Sequence, residues 1–204
     1  MARNTIADAV ANSFDYLISN VNTAIPATIT HYDDLLKKAT VKPLIMRTFS
    51  NGTVVSMPII ANVPVVMPRN ALAGLNIPVS VGDTVLLIFS QRSLERWLFD
   101  GGEVEPGLDR KFDLTDAIAI IGLYSFNSSL PTEEGSLFLY CDKAKIKIDK
   151  NSKIAIGNDS DELLAILSDT LDDIKNIKVD GKPIENQSAF TSLKNRLNTI
   201  KGSL

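Results

Sequence analysis

The sequence predicts a mainly β protein: an N-terminal helix, a small closed barrel, a short intertwined trimeric β-prism or β-helix, and a C-terminal helical hairpin. Three observations carry this. Between Thr23 and Phe126 the apolar runs are short, rich in β-branched residues and bounded by turn formers, as in barrel strands. After Gly135 apolar and polar residues alternate with period two, giving strands with one apolar face. At both ends of the chain apolar residues recur at steps of three and four, the period of a helical face.

Residues 1–22 form the predicted helix. Ile6, Val10, Phe14, Leu17 and Val21 share one face, and Asn4 is the expected N-cap. The helix packs either on its own domain, the slightly favoured reading, or on a partner. Asp8 and Asp15 interrupt its apolar residues, which argues against a signal peptide.

Residues 23–126 form the predicted barrel. Strands are expected at Ala27–Thr30, Ala39–Met46, Thr53–Met57, Val63–Pro68, Val85–Phe89 and Ala117–Tyr124, with a helical excursion over Gln91–Trp97. Asn51-Gly52 is the pair a type I′ hairpin turn prefers, and Gly82-Asp83 supplies the turn into Val85–Phe89. Prolines 43, 58, 64, 68 and 78 suit strand ends, edges or bulges, where no ladder donor is lost. Five or six short strands around one excursion point to a Greek-key barrel, of which the oligonucleotide/oligosaccharide-binding (OB) fold is the commonest five-stranded form.

A polar linker is expected over 127–135, then strands over 136–158. Leu137, Leu139, Cys141, Ala144, Ile146, Ile148, Ile154 and Ile156 form their apolar face. No following helix is expected to cover it, and so few strands are marginal alone. The same segment of other subunits is the natural cover. Over 159–204 Ser160 is the expected N-cap of a helix with the seam Leu164, Leu167, Leu171 and Ile174. After a turn at Gly181 and Pro183, Phe190, Leu193, Leu197 and Ile200 repeat that spacing, and two such helices make a hairpin.

Composition narrows the function. The 204 residues carry 21 Lys and Arg against 24 Asp and Glu, a formal charge of −3, so no broad basic field for nucleic acid exists. The lysines between Lys143 and Lys153 alternate with isoleucines and are expected on a solvated strand face. The apolar stretch Val54–Val66 is broken by Pro58 and Pro64 and is too short to span a bilayer as a helix, so a soluble chain is expected. A lone Cys141 excludes an internal disulfide, and His31 is the only histidine. The two fall in different predicted domains, which disfavours a catalytic pair. Asp33-Asp34, Glu133-Glu134 and Asp172-Asp173 are adjacent carboxylates that diverge on a strand. No phosphate loop, dinucleotide fingerprint or metal-ligand spacing is present. No catalytic residue, cofactor or metal is therefore expected.

The richest polar cluster is Arg92, Glu95, Arg96 and Trp97. On a helical turn Arg92 would reach Glu95 as an ion pair, with Trp97 over the barrel's end. The cluster is either internal to the fold or an interface anchor, Arg and Trp being common hot-spot residues. The isoleucines 146, 148, 154 and 156 and the seam Leu164, Leu167, Leu171 and Ile174 are the remaining interface candidates.

The runs GDTVLLIFSQRSLERW and DLTDAIAIIGL, with IPATITHYDDLLKKATVKPLIMR and IANVPVVMPR upstream, resemble the N-terminal barrel domain of the central spike proteins of contractile-tailed bacteriophages, the Mu-like baseplate spike family. Phe112 departs from that pattern, where members often carry histidine. The resemblance implies a homotrimer mounted on a baseplate hub protein, part of a virion tail assembled in the host cytoplasm. It would penetrate the host outer membrane mechanically as the sheath contracts. Family spikes with a sharp apex hold iron between paired histidines near the C-terminus. This chain has no histidine after His31, so that site is not carried over, and a separate tip protein or a blunt helical end is the corollary. Two other classes stand beside this one. A single-stranded nucleic-acid-binding OB protein would need a basic groove with stacking aromatics, whereas the barrel half is net acidic. An envelope-degrading enzyme would need a catalytic set the chain does not offer.

Overall fold

The computed structural model describes residues 6–49 and 51–202; the expected cap Asn4 lies outside them. The chain divides into two units, one ending at Ser128 and the other beginning at Ser129. Helix and strand are mixed across the described residues, rather than mainly β. No helix among them is long and apolar enough to cross a membrane.

The first unit begins with α1 (Ile6–Ser19), none of whose residues is buried. Packing of this helix on its own barrel, the favoured expectation, does not occur. Strands β1 (Ala24–Asp33) and β2 (Lys38–Pro43) follow. A small separate hairpin, β3 (Arg47–Thr48) with β4 (Val54–Val55), precedes β5 (Ile60–Val66). Its turn is not the expected two-residue type I′. Phe49 N–H bonds to Thr53 O at 2.8 Å and Gly52 N–H to Phe49 O at 2.9 Å, so the pair that closes the turn is Phe49 with Thr53 rather than the two residues flanking Asn51-Gly52. Then come β6 (Thr84–Phe89), the helix α2 (Glu95–Asp100), a 3-10 turn over Leu114–Asp116, and β7 (Ala117–Ile121).

Strands β1, β2, β5, β7 and β6 close into a barrel in that order. All neighbours are antiparallel except β5 and β7, which run parallel. Counted along the chain, the barrel strands stand in the order first, second, third, fifth, fourth, consistent with an OB-like fold. The core is one alternating face per strand: Ala27 and Ile29, Ala39 and Val41, Val85, Leu87 and Phe89, Ala117 and Ala119. On β5 the step is three, from Ile60 to Val63, and then two, to Val65. Asn62, at φ 58, accounts for this: the β2–β5 register slips there, and a bulge residue restores the inward phase. Pro64 follows it within the strand, where a missing donor is tolerated. Gly82 takes φ 99 and donates to Ile29 O at 2.9 Å, so the expected Gly82-Asp83 turn leads directly into β6.

The second unit is a meander, β8 (Ser136–Cys141), β9 (Ala144–Asp149) and β10 (Ile154–Gly157), followed by α3 (Leu163–Lys175). A two-stranded hairpin, β11 (Lys178–Val179) with β12 (Lys182–Pro183), leads into α4 (Gln187–Ile200). Asp180 and Gly181 at φ 51 and 76 make its turn, both central residues being left-handed as type I′ requires. The cap of α3 is Glu162, not the expected Ser160: its carboxylate accepts from Leu164 N–H at 2.9 Å and Ala165 N–H at 2.6 Å. Ser160 N–H instead bonds to Asn158 Oδ1 at 2.8 Å, in a turn before the helix.

Candidate assembly surfaces

The excursion between β6 and β7 is pinned by a cluster absent from the sequence expectations. Asp116, 2% exposed, accepts from Arg110 Nε at 3.0 Å, Arg110 Nη2 at 3.2 Å and Leu94 N–H at 2.9 Å. Arg110 also donates to Ser93 Oγ at 3.2 Å and lies 3.7 Å from Glu95. The hydrogen bond to Asp116 outweighs burial and holds the Arg110 guanidinium above its ordinary pKa, so it stays cationic. Asp113, bonded to Thr115 Oγ1 at 2.6 Å and to Thr115 N–H at 2.8 Å, is held below the ordinary carboxylate range by those two bonds. It starts the 3-10 turn that delivers Asp116 to the barrel wall. Phe112, the departure from the family pattern, is half-buried with φ 51; its carbonyl accepts from Asn22 Nδ2 at 2.8 Å.

This geometry redistributes the Arg92–Trp97 cluster. Helix α2 starts at Glu95, so Arg92 lies outside it and pairs with Asp109 at 3.4 Å instead of Glu95. Glu95 faces Arg110, and Arg96 pairs with Asp100 at 3.4 Å. Trp97 is 50% exposed and caps no core; Leu98 and Phe99 beside it are exposed as well. The structure therefore presents Trp97, Leu98 and Phe99 of α2 as an exposed apolar knuckle above the Arg110–Asp116 hydrogen bonds. Surface pairs such as Arg92–Asp109 contribute little to stability.

In the second unit the expected apolar face forms as an aligned surface. Leu137 stands opposite Ile148, which stands opposite Ile154; Leu139, Ile146 and Ile156 form the next row, and Cys141 pairs with Ala144. Opposed side chains lie close enough to act as one surface. Leu137 is 69% exposed and Ile148 41%, with Leu139 and Ile146 between those values. The opposite side differs. Phe138 and Tyr140 stack there at 5.3 Å, and Ala155 is buried where Gly202 N–H bonds to Ile154 O at 2.7 Å. The chain's own C-terminal segment thus lines the β10 edge, and on the leucine–isoleucine face Leu137, Leu139, Ile146 and Ile148 stay exposed while Ile154 and Ile156 are half-buried.

Helices α3 and α4 pack as a hairpin, tied across by Asp172 to Lys194, while Asp172 also pairs within α3 with Lys175 at 3.1 Å. Those two lysines, Lys194 first, hold the Asp172 carboxyl below its usual range. Of the expected seam, Leu164, Leu171 and Ile174 are half-buried, but Leu167 is exposed and Ser168 is the buried residue of α3. On α4 only Leu197 is buried; Leu193 and Ile200 are exposed. The contact line is rotated from the predicted seam, and both helices keep apolar surface outside.

His31 is exposed on β1, and Cys141 is exposed in the other unit. Among the described residues no group of three or more His, Cys, Asp or Glu could hold a metal.

The comparison with curated proteins finds no match to this chain. Residues 25–122, from β1 to just past β7, match the family model described as the phage protein Gp138 N-terminal domain, and that similarity supports a phage structural protein.

Proposed function

We propose that the chain is the central spike of a contractile-tail baseplate, a non-enzymatic homotrimer that links the tail hub to a membrane-piercing tip. The observation that carries this reading is the open cross-strand face of β8–β10. Six large aliphatic residues in register, four of them exposed, on a sheet too small to stand alone, call for cover, and copies of the same face around a three-fold axis supply it as a prism. The similarity of the barrel to a phage domain supports the tail setting. In this reading the barrel is a collar on the hub protein, with the α2 knuckle facing it. The prism is the shaft, and the hairpin meets a separate tip protein. Sheath contraction drives the rod through the host outer membrane, so intersubunit stiffness does the work. No cofactor or nucleic acid takes part.

Light scattering tests it directly. The expected mass is three times the 22.2 kDa of one chain at every concentration, with short rods in negative stain. A single-chain mass would refute the proposal. The OB-like barrel favours a second reading, single-strand nucleic-acid binding; a salt-dependent shift with oligonucleotides would move the assignment there.

A further inference from the structure

No residue of helix α1 is buried against the described residues of its own chain. A 14-residue helix is marginal in water without packing, so its apolar stripe needs an occupant. Its pattern is more regular than the sequence expectation used: Ala7, Val10, Phe14 and Leu17, continued by Val21 beyond the helix, step three, four, three, four. These are the a and d positions of a heptad. Ile6 and Ile18 extend the stripe at g and e, giving about 120° of apolar arc, wider than a two-stranded seam uses.

The charges identify the occupant. Within Ile6–Ser19 only Asp8 and Asp15 are charged. Both stand at b, away from the seam. The positions that flank a seam, Ile6, Ala11, Ser13 and Ile18, are uncharged, so identical helices meet with no like-charge repulsion. A partner recognised by charge finds nothing to read on this face. A membrane surface is disfavoured as well, since interfacial helices carry Lys and Arg on their polar face and α1 has neither. The chain that leaves α1 is tied to the rest of its unit: Arg47 on the β3–β4 hairpin bonds to Asn20, Asn22 Nδ2 to Phe112 O at 2.8 Å, and Phe89 N–H on the barrel to Thr23 O at 3.0 Å.

We propose that α1 packs against the α1 helices of two further copies of this chain as a parallel three-helix bundle, a second trimer contact at the end of the chain opposite the prism. The inference rests on the trimer proposed above. It assigns the occupant of α1 to self-association rather than to the hub.

The test is thiol cross-linking in the full-length chain with Cys141→Ser, which removes the one native thiol. Leu17→Cys places a thiol on the seam, and Asn12→Cys places one at f, facing away. Light scattering of the same samples gives the mass. Seam thiols in one assembly meet at roughly millimolar effective concentration. Leu17→Cys is therefore expected to form a disulfide-linked pair at least about tenfold faster than Asn12→Cys, at a rate unchanged by dilution. Trimer mass with equal or absent cross-linking overturns the α1 bundle and leaves the spike reading standing. A single-chain mass overturns both.

Discussion

Replacing Asp116 by alanine tests whether the excursion that displays α2 rests on a single buried carboxylate. The side chain makes three hydrogen bonds, two to Arg110 and one to Leu94 N–H. A hydrogen bond to a charged group contributes about 1.5–3 kcal/mol net, and losing a backbone acceptor of the capping kind costs about 1 kcal/mol. Arg110 is 31% exposed and keeps Glu95 at 3.7 Å, so after the change it reaches water and a second carboxylate. The loss therefore stays under the roughly 3–5 kcal/mol of a fully buried broken pair, at about 2–3 kcal/mol. For a unit of this size that corresponds to a fall in Tm of about 10 °C. Asp116→Asn keeps an acceptor for Leu94 and should lose about half as much. Trp97, the only tryptophan, sits on α2 and reports the local structure by fluorescence, while circular dichroism follows the barrel. An Asp116→Ala protein within about 0.5 kcal/mol of the native chain, with unchanged Trp97 emission, would refute the anchoring role.

Three further outcomes are expected. Burial tends to raise the Glu162 carboxyl, but the N–H groups of Leu164, Ile156 and Ala165 together hold it below its ordinary 4.5. Its stabilisation is thus complete above pH 4.5 and lost as pH falls through the lower folded value. Glu162→Ala should cost about 1 kcal/mol at pH 7, with the gap to native narrowing in acid; a gap that widens there contradicts the cap. Ile146→Asp places a charge on the open face of β9. It should abolish the trimer by light scattering, whereas on a truly solvent-exposed face it would shift stability by no more than about 0.5 kcal/mol and leave the mass unchanged. Arg92→Ala and Trp97→Ala should keep the trimer and weaken hub binding, Trp97→Ala by more than tenfold, since a central aromatic anchor contributes 2 kcal/mol or more. Equal retention of the hub in a pull-down by both variants removes α2 from that interface.

Sequence patterning by itself determined the barrel strands in outline, except that the predicted strand Thr53–Met57 shrinks to Val54–Val55 in a hairpin outside the barrel. Alternate residues on a strand point to opposite sides, and every core position of β1, β2, β6 and β7 follows from that rule. It also determined that Leu137 to Ile156 form one apolar face, because register within a meander keeps alternating sets aligned. Tertiary structure alone decided what has no period. Arg110 and Asp116 lie in a polar loop, six residues apart, and become partners only because the β6–β7 pairing brings Ser90 to Phe112 and Asp116. Asn62 falls between the predicted strands Thr53–Met57 and Val63–Pro68, yet it lies inside β5, where the slip against β2 makes it a bulge. Ser160 and Glu162 both had cap chemistry, and the choice fell to Glu162 because its carboxylate also accepts from Ile156 N–H at 3.2 Å, a donor on the neighbouring strand. Arg92 lost Glu95 for a similar reason, as Asp116 captured Leu94 N–H and set the start of α2 three residues beyond it. Local chemistry proposes several partners for a polar group, and the long-range pairing of strands selects among them.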